Sequence, residues 1–425
     1  MNNWLERDKQ AIWHPFTQLL NGFDHLMIEK AEGVYLHTTD GRKIIDAISS
    51  WWVNLHGHSH PTITAAVAEQ AANLEHVIFA GFTHEPAITL AENLLRILPA
   101  NQSKIFYSDN GSTANEVALK MAFQYWYNNK EEKRRKVIAF EGAYHGDTFG
   151  AMSVGDRGPF SAPFAPFLFD VAFLPMPTED NEKGVLSQLK KLVGTGEVAA
   201  FIFEPLVLGS AGMKMYRAAV LDEMIEIAQQ HGTICIADEV FTGFGRTGKY
   251  FAADYLQNKP DIFCLSKGLT GGTMALGVTS CTEKIMDAYK STDIMKTFFH
   301  GHSFTANPIA CAAANASFSL LIADDTQAQI KKINSWHEEF LQRLEHHEKV
   351  ENCRLLGTIL AFDIKSETET SYVNEVRHKL YPYFLERNIL LRPLGNIIYV
   401  LPPYIINKEE LQKVYDEILN LLDSI

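Results

Sequence analysis

The chain has 425 residues, 46% hydrophobic and 21% charged, enough to bury a large core as one large domain with a smaller one. A formal net charge of −13 argues against nucleic acid as a partner, because phosphate binding needs clustered Lys and Arg. No apolar run approaches the ~18 residues of a membrane span, and five scattered cysteines without a Cys-x-x-Cys pair imply neither a disulfide nor a zinc framework.

The first ten residues, MNNWLERDKQ, alternate charge with apolar side chains and lack the apolar stretch of a signal peptide, so a cytoplasmic location is expected. Residues 1–55 carry a hairpin-like piece from Gly33 to Asp46, with Asp40-Gly41 as its turn, that should pack with the C-terminal part. Over 56–310, strand-like runs at Lys104–Tyr107, Val137–Phe140, Ala199–Phe203, Thr233–Ala237, Ile262–Leu265 and Leu276–Ser280 alternate with helix-period segments. That alternation predicts an α/β domain, a mainly parallel sheet covered by helices. The basic run Lys130–Lys136 is short and reads as a solvated helix end. Residues 311–425 change to long amphipathic helices, Asp325–His347 and Tyr372–Arg387, among strands at Ile359–Ile364, Ile389–Leu391 and Ile397–Leu401, predicting a smaller α+β domain.

Two of the apolar runs close on chemistry. Asp238 ends Ile-Cys-Ile-Ala-Asp-Glu-Val, and Lys267 follows Asp-Ile-Phe-Cys-Leu-Ser. Strand ends are where open α/β sheets hold their ligands. An Asp and a Lys delivered there are what pyridoxal phosphate (PLP) requires: the lysine amine condenses with the cofactor aldehyde, and the carboxylate keeps the pyridine nitrogen protonated. Taken singly, a strand-end acid caps a loop and a lysine lies on the surface, so the reading rests on what accompanies them. A phosphate cradle does: in Ser108-Asp-Asn-Gly-Ser-Thr-Ala-Asn-Glu116 a strand ends, Gly111 permits close backbone approach, and a helix opens at Ser112–Thr113. Thr113 and Glu116 also match a capping box, the signature of an ordinary helix start.

Other motifs compete. Gly243-Phe-Gly-Arg-Thr-Gly248 fits G-x-G-x-x-G and makes an NAD-dependent dehydrogenase the alternative from another class, but Lys249-Tyr-Phe-Ala follows where a helix should open. His56-Gly-His-Ser-His60 and His300-Gly-His302 have no accompanying carboxylate or cysteine cluster, so hydrogen-bonding loop histidines are expected and no metal. Trp51-Trp52 and Tyr144-His145 stand on loops beside the sheet edge as a substrate wall.

These motifs occur in an order that resembles the fold-type I, class III aminotransferases over nearly the full length. The resemblance is carried by Asp238-Glu-Val-x-Thr-Gly-Phe-Gly-Arg-Thr-Gly, Lys267-Gly-x-Thr-Gly-Gly and the Gly-Ser cradle. Within the class, Trp13-His-Pro-Phe-Thr, Ser49-Ser-Trp-Trp, Tyr144-His-Gly-Asp-Thr-Phe-Gly, Met213-Lys-Met-Tyr, His300-Gly-His-Ser-Phe and Leu391-Arg-Pro-Leu-Gly resemble its biotin-pathway branch. The resemblance implies a seven-stranded-type sheet, PLP as cofactor, and Lys267 as both anchor and proton shuttle. It pairs Asp238 with the pyridinium nitrogen, brackets the ring with Val240 and Tyr144, and gives the phosphate to Gly111 and Ser112. It also implies a homodimer with shared active sites, in which Gly301, His302 and Ser303 of the neighbouring subunit complete the phosphate site. Ser303 stands where Thr is common in the family, and His302 where Pro is common.

On the substrate side, the resemblance implies 8-amino-7-oxononanoate as acceptor, its carboxylate held by the Arg392 fork, with Trp51, Trp52 and Tyr399 along its apolar chain. S-adenosylmethionine is the implied amino donor. Phe16 departs from the pattern, because adenosylmethionine-using members have Tyr there; lysine as donor, or another class III activity such as ornithine or 4-aminobutyrate transamination, are the alternatives.

Overall fold

Seven strands between residues 102 and 282 form the central sheet: β1 (Gln102–Ser108), β2 (Lys136–Phe140), β3 (Val171–Leu174), β4 (Val198–Phe203), β5 (Ile234–Asp238), β6 (Ile262–Leu265) and β7 (Gly277–Thr282). The computed structural model describes residues 3–20, 24–158, 160–366 and 377–425. The spatial order is β1-β7-β6-β5-β4-β2-β3, with β7 antiparallel to both its neighbours and every other pairing parallel. Strands β4 to β7 are buried along their whole length, and β4 to β6 accordingly read as continuous apolar runs rather than alternating ones. β3 had no counterpart among the expected strands; it is a half-buried edge strand of four residues, too short for a periodic signal.

Helix α1 (Gly111–Asn128) covers one face of the sheet through Val117, Ala118, Met121 and Trp126, packed with Val137, Ala199 and Ile234. Helices Glu182–Val193 and Ala218–Gln230 bury Leu189, Leu221 and Ile225 in the larger cluster that includes Phe201 and Phe263. The last third of the described chain holds an antiparallel sheet (Val350–Leu356, Ile359–Ile364, Ile397–Val400) packed by Asp324–Leu344, with Lys408–Ser424 beyond it. The second long helix runs from Arg377 to Glu386; its expected start at 372–376 lies outside the described residues.

Strands Ile28–Glu32, Tyr35–Thr38 and Lys43–Asp46 form a meander whose last strand pairs in parallel with Ile389–Leu390. The turn before Lys43 closes through Gly41, at φ 88°, which donates its N–H to Thr38 O. Among the described residues, no helix is long and apolar enough to cross a membrane.

Candidate active site

The parallel strands β1, β2, β4, β5 and β6 end on one edge of the sheet, and their last residues open onto a cleft of about 730 Å³. β5 delivers Asp238, β6 delivers Lys267 one residue past Ser266, β4 delivers Glu204, and the turn after β1 leads into α1 at Gly111. All four line the same cleft.

Asp238, 3% exposed, is tightly supported. Its Oδ2 accepts from His145 Nδ1 at 2.7 Å and Asn115 Nδ2 at 2.8 Å, and Oδ1 accepts from the Val240 N–H at 3.0 Å. The carboxylate is thereby fixed in one orientation with capacity left on Oδ1. Lys267 has φ 48° and extends its ammonium to 4.7 Å from the Trp52 ring and 5.7 Å from Phe241. Burial brings its pKa down from 10.5 to about 8, against the pull of Asp238 and Glu204 in the other direction. Burial likewise pushes Glu204 up to about 7, although its oxygens accept from the Tyr144 and Gly209 N–H groups, both at 3.0 Å.

The phosphate cradle differs in detail from the expectation. α1 begins at Gly111, not at Ser112–Thr113, and the capping box is Asn110 with Thr113: Asn110 Oδ1 accepts from Thr113 N at 2.9 Å, and Thr113 Oγ1 accepts from Asn110 N at 3.1 Å. Glu116 is not the box partner. Its Oε1 accepts from Gly150 and Ala151 N–H at 2.7 and 3.0 Å, capping the next short helix instead. Ser112 Oγ meets Thr148 Oγ1 at 2.7 Å.

Two glycines make this corner possible. A Cβ at Gly111 would stand 2.7 Å from Val240 Cγ1, and one at Gly146, where φ is 129°, would stand 2.2 Å from Ser112 Oγ. The residues fit a phosphorylated pyridine aldehyde on three counts: a long helix N-terminus with a hydroxyl beside it, a fixed buried carboxylate, and a lysine of lowered pKa. Among the described residues, buried Asn115 Oδ1 and His145 Nε2 have no hydrogen-bond partner, so polar capacity remains around Asp238.

Of the expected wall residues, Trp52, Tyr144 and His145 line the cleft, as does Val240, expected beside the ring. Tyr144 hydroxyl donates to Asp147 Oδ2 at 3.0 Å, and burial raises its pKa. The Nδ1 of His145 reaches Asp238 and braces it. Tyr399 does not line the cleft: it is buried behind Trp52, accepting the indole N–H at 3.1 Å.

Trp51, 40% exposed, forms an outer rim with Phe16, their rings 5.6 Å apart, and carries the Arg392 guanidinium at 4.5 Å from its own ring. Among the described residues, no carboxylate forms an ion pair with Arg392. Gly301, His302 and Ser303 do not line the cleft of their own chain. The last two belong to a turn in which the His302 and Phe304 N–H groups are held by Thr305 Oγ1 and His302 Nδ1.

Several contributors escaped the sequence reading: Asn115, Glu204, Asp147 and Phe241. Glu204 ends an apolar run just as Asp238 does, so the same strand-end rule would have found it. The G-x-G-x-x-G segment forms consecutive turns and opens no helix, and Arg246 inside it is buried on the carbonyls of Asn54 and Pro402. That geometry removes the dinucleotide reading.

The loop histidines are engaged with neighbours: His56 with Ser317, His58 with Asp46, His300 with Lys120. Asp8, His14 and His25 form the one group of three close potential metal ligands among the described residues, and both imidazoles already bond the Asp8 carboxylate at 2.9 Å.

A sheet of this order, with a lysine and an acid at adjacent strand ends and a helix N-terminus beside them, is the architecture of the aminotransferases, and the chain belongs to the class-III aminotransferase family, whose profile matches residues 21–422. It is 49% identical over 422 residues to the adenosylmethionine-8-amino-7-oxononanoate aminotransferase of Synechococcus elongatus, covering 97% of this chain and 99% of that one. The solved structure of the adenosylmethionine-8-amino-7-oxononanoate aminotransferase of Methanocaldococcus jannaschii matches at a TM-score of 0.93 and 34% identity, over 99% of this chain and 98% of that one. An amine transaminase from an uncultivated Pseudomonas species, solved in its PLP-bound form, matches at 0.91 and 28% identity, over 97% and 98%.

Proposed function

We propose that the chain transfers an amino group from S-adenosylmethionine to 8-amino-7-oxononanoate, giving 7,8-diaminononanoate for biotin biosynthesis, with PLP as cofactor. The observation that carries the chemistry is the convergence of Lys267, braced Asp238 and the Gly111 helix start on one cleft. PLP, when bound, supplies the electron sink that lets one site accept an amino group and pass it on.

Asp238 holds the pyridine nitrogen protonated through a charge-assisted contact. At pH 7, a lysine of pKa about 8 is neutral in about a tenth of molecules, against roughly 0.03% at 10.5, so Lys267 would have an amine available to hold an aldehyde cofactor and to carry a proton to and from substrate Cα. The N–H groups at Gly111 and Ser112 would hold the phosphate, with Val240 and Tyr144 beside the ring. Arg392, with no carboxylate partner among the described residues, binds the acceptor carboxylate bidentately; Trp51 and Trp52 flank its apolar chain, with Tyr399 anchoring Trp52 from behind.

We further propose a cytoplasmic homodimer, in which Gly301, His302 and Ser303 of the partner subunit complete the phosphate site. Free cysteines, four of them buried, suit a reducing compartment. Phe16, at the cleft rim without a hydroxyl, favours one second reading: the same acceptor with lysine as donor.

Two measurements test these assignments. Mixing the PLP form with S-adenosylmethionine should convert it to the pyridoxamine form; conversion by lysine alone would overturn the donor. Arg392→Ala should raise KM for the oxononanoate strongly while sparing the donor half-reaction, and equal loss in both halves would remove Arg392 from its role.

A further inference from the structure

Between Ser49 and Trp52 the backbone makes a turn that ordinary side chains resist. Ser49, Ser50 and Trp52 have φ of 54°, 60° and 67°, in the left-handed region that non-glycine residues rarely adopt. Such a turn persists only where surrounding bonds over-determine it: Ser49 Oγ donates to Leu401 O at 2.8 Å and Trp52 N to Ile48 O at 3.1 Å, and one side chain adds three more. Asp46, at the end of its strand and 0% exposed, accepts from Ile48 N at 3.2 Å and Ser50 N at 2.9 Å on Oδ1. On Oδ2 it accepts from Ser50 Oγ and His58 Nε2, both at 2.9 Å. His58 is oriented in turn by Asn54 Nδ2, 3.3 Å from its Nδ1, which leaves Nε2–H to face Asp46.

The turn sets the two tryptophans on different walls. Trp52 has independent anchors in Tyr399, Phe241 and the Arg246 guanidinium on its carbonyl. Trp51 makes rim contacts with Phe16 and Arg392.

We propose that Asp46 is a positioning residue for acceptor binding: it holds the strained Ser49–Trp52 turn so that the Trp51 ring lies against the Arg392 guanidinium and fixes the orientation of its fork. This rests on the reading that Arg392 binds the acceptor carboxylate. Asp46 itself lines no part of the cleft and acts through Trp51. Asn at this position keeps an oxygen for the two backbone N–H groups but turns an amide N–H against His58 Nε2–H, so it loosens the turn without emptying the site.

The test uses the full-length holoenzyme and compares Asp46→Asn, Trp51→Ala, the double variant and Arg392→Ala. Asp46→Asn should raise acceptor KM at least tenfold, with the rate of the donor half-reaction within about twofold of the parent. In the Trp51→Ala background, Asp46→Asn should add nothing further to acceptor KM, since both act on one contact. An unchanged acceptor KM, an equal loss in both half-reactions, or a full additional effect in the Trp51→Ala background would each overturn the proposal. Should Asp46→Asn fail to fold, Ser50→Ala removes a single bond to Oδ2. It should raise acceptor KM about threefold, again only when Trp51 is present, and no change would overturn the proposal equally. Arg392→Ala separates the two levels: acceptor KM unmoved there sinks the assignment of Arg392, whereas a response to Arg392→Ala but not to Asp46→Asn sinks only the role of Asp46.

Discussion

Replacing Lys267 by Met should make the cofactor-free chain more stable while abolishing transamination. Burial brings the lysine from 10.5 to about 8, so at pH 7 the folded chain must hold a charge its interior disfavours. At 1.36 kcal/mol per tenfold change in proton affinity, that penalty is about 3 kcal/mol. Lys267 is not fully enclosed, and solvent screening lowers the expected gain to about 1–3 kcal/mol. Met keeps the length of the side chain and packs its thioether against Trp52 and Phe241.

The pH dependence follows from the direction of the shift. Between about 8 and 10.5 the unfolded chain binds a proton that the folded chain has released, so parent stability rises with pH across that window. The advantage of Lys267→Met should therefore be full at pH 7 and gone by about pH 10.5. Urea unfolding of both cofactor-free proteins at pH 7 and 10, at one protomer concentration, measures it. A variant no more stable than the parent at pH 7, or an advantage independent of pH, would refute the argument that the site stores a desolvated ammonium.

Gly111→Ala should weaken PLP binding at least tenfold, because its Cβ would fall 2.7 Å from Val240 Cγ1 and displace either the helix start or the ring-bracketing valine; Val240→Ala in the same chain should recover part of the affinity in a fluorescence titration. Burial holds His337 down at about 3, so the folded chain keeps it neutral while the unfolded chain takes a proton below about 6.5. Stability from this group is complete above 6.5 and lost as pH falls toward 3, and His337→Gln should flatten the decline between pH 6.5 and 4 in denaturant titrations. Phe16→Tyr adds one hydroxyl at the rim and should lower KM for S-adenosylmethionine by about 2- to 10-fold, as expected of one hydrogen bond worth ~0.5–1.5 kcal/mol, with acceptor KM unmoved in steady-state assays.

Legibility in the sequence followed burial. Strands β4, β5 and β6 are covered on both faces, so their apolar runs are unbroken and their ends are sharp, and Asp238 and Lys267 stand out as the first charged residues at the ends of β5 and β6. The parallel order of the sheet makes those ends coincide, which is why Asp238, Lys267 and the Gly111 helix start meet in one place. Gly33–Asp46 was legible for a different reason, since the turn at Asp40-Gly41 needs a residue free to adopt φ 88°.

What the sequence could not convey is which distant groups meet. Tyr144 and His145 are neighbours in the chain and both line the cleft, yet the first bonds Asp147 and the second Asp238, 93 positions away. Tyr399 and Trp52 are 347 positions apart, and only the packing of the C-terminal sheet against the Ser49–Trp52 turn puts the phenol behind the indole rather than in the cleft. Thr113 and Glu116 have the spacing of a capping box, but Asn110 took the cap and left Glu116 for the next helix. A local pattern records whether a residue is buried and what its backbone permits. The partner it finds is decided by how the layers close, and at this site that closure chose Asn115 and His145 for Asp238, Trp51 for Arg392, and Asp46 for the turn between them.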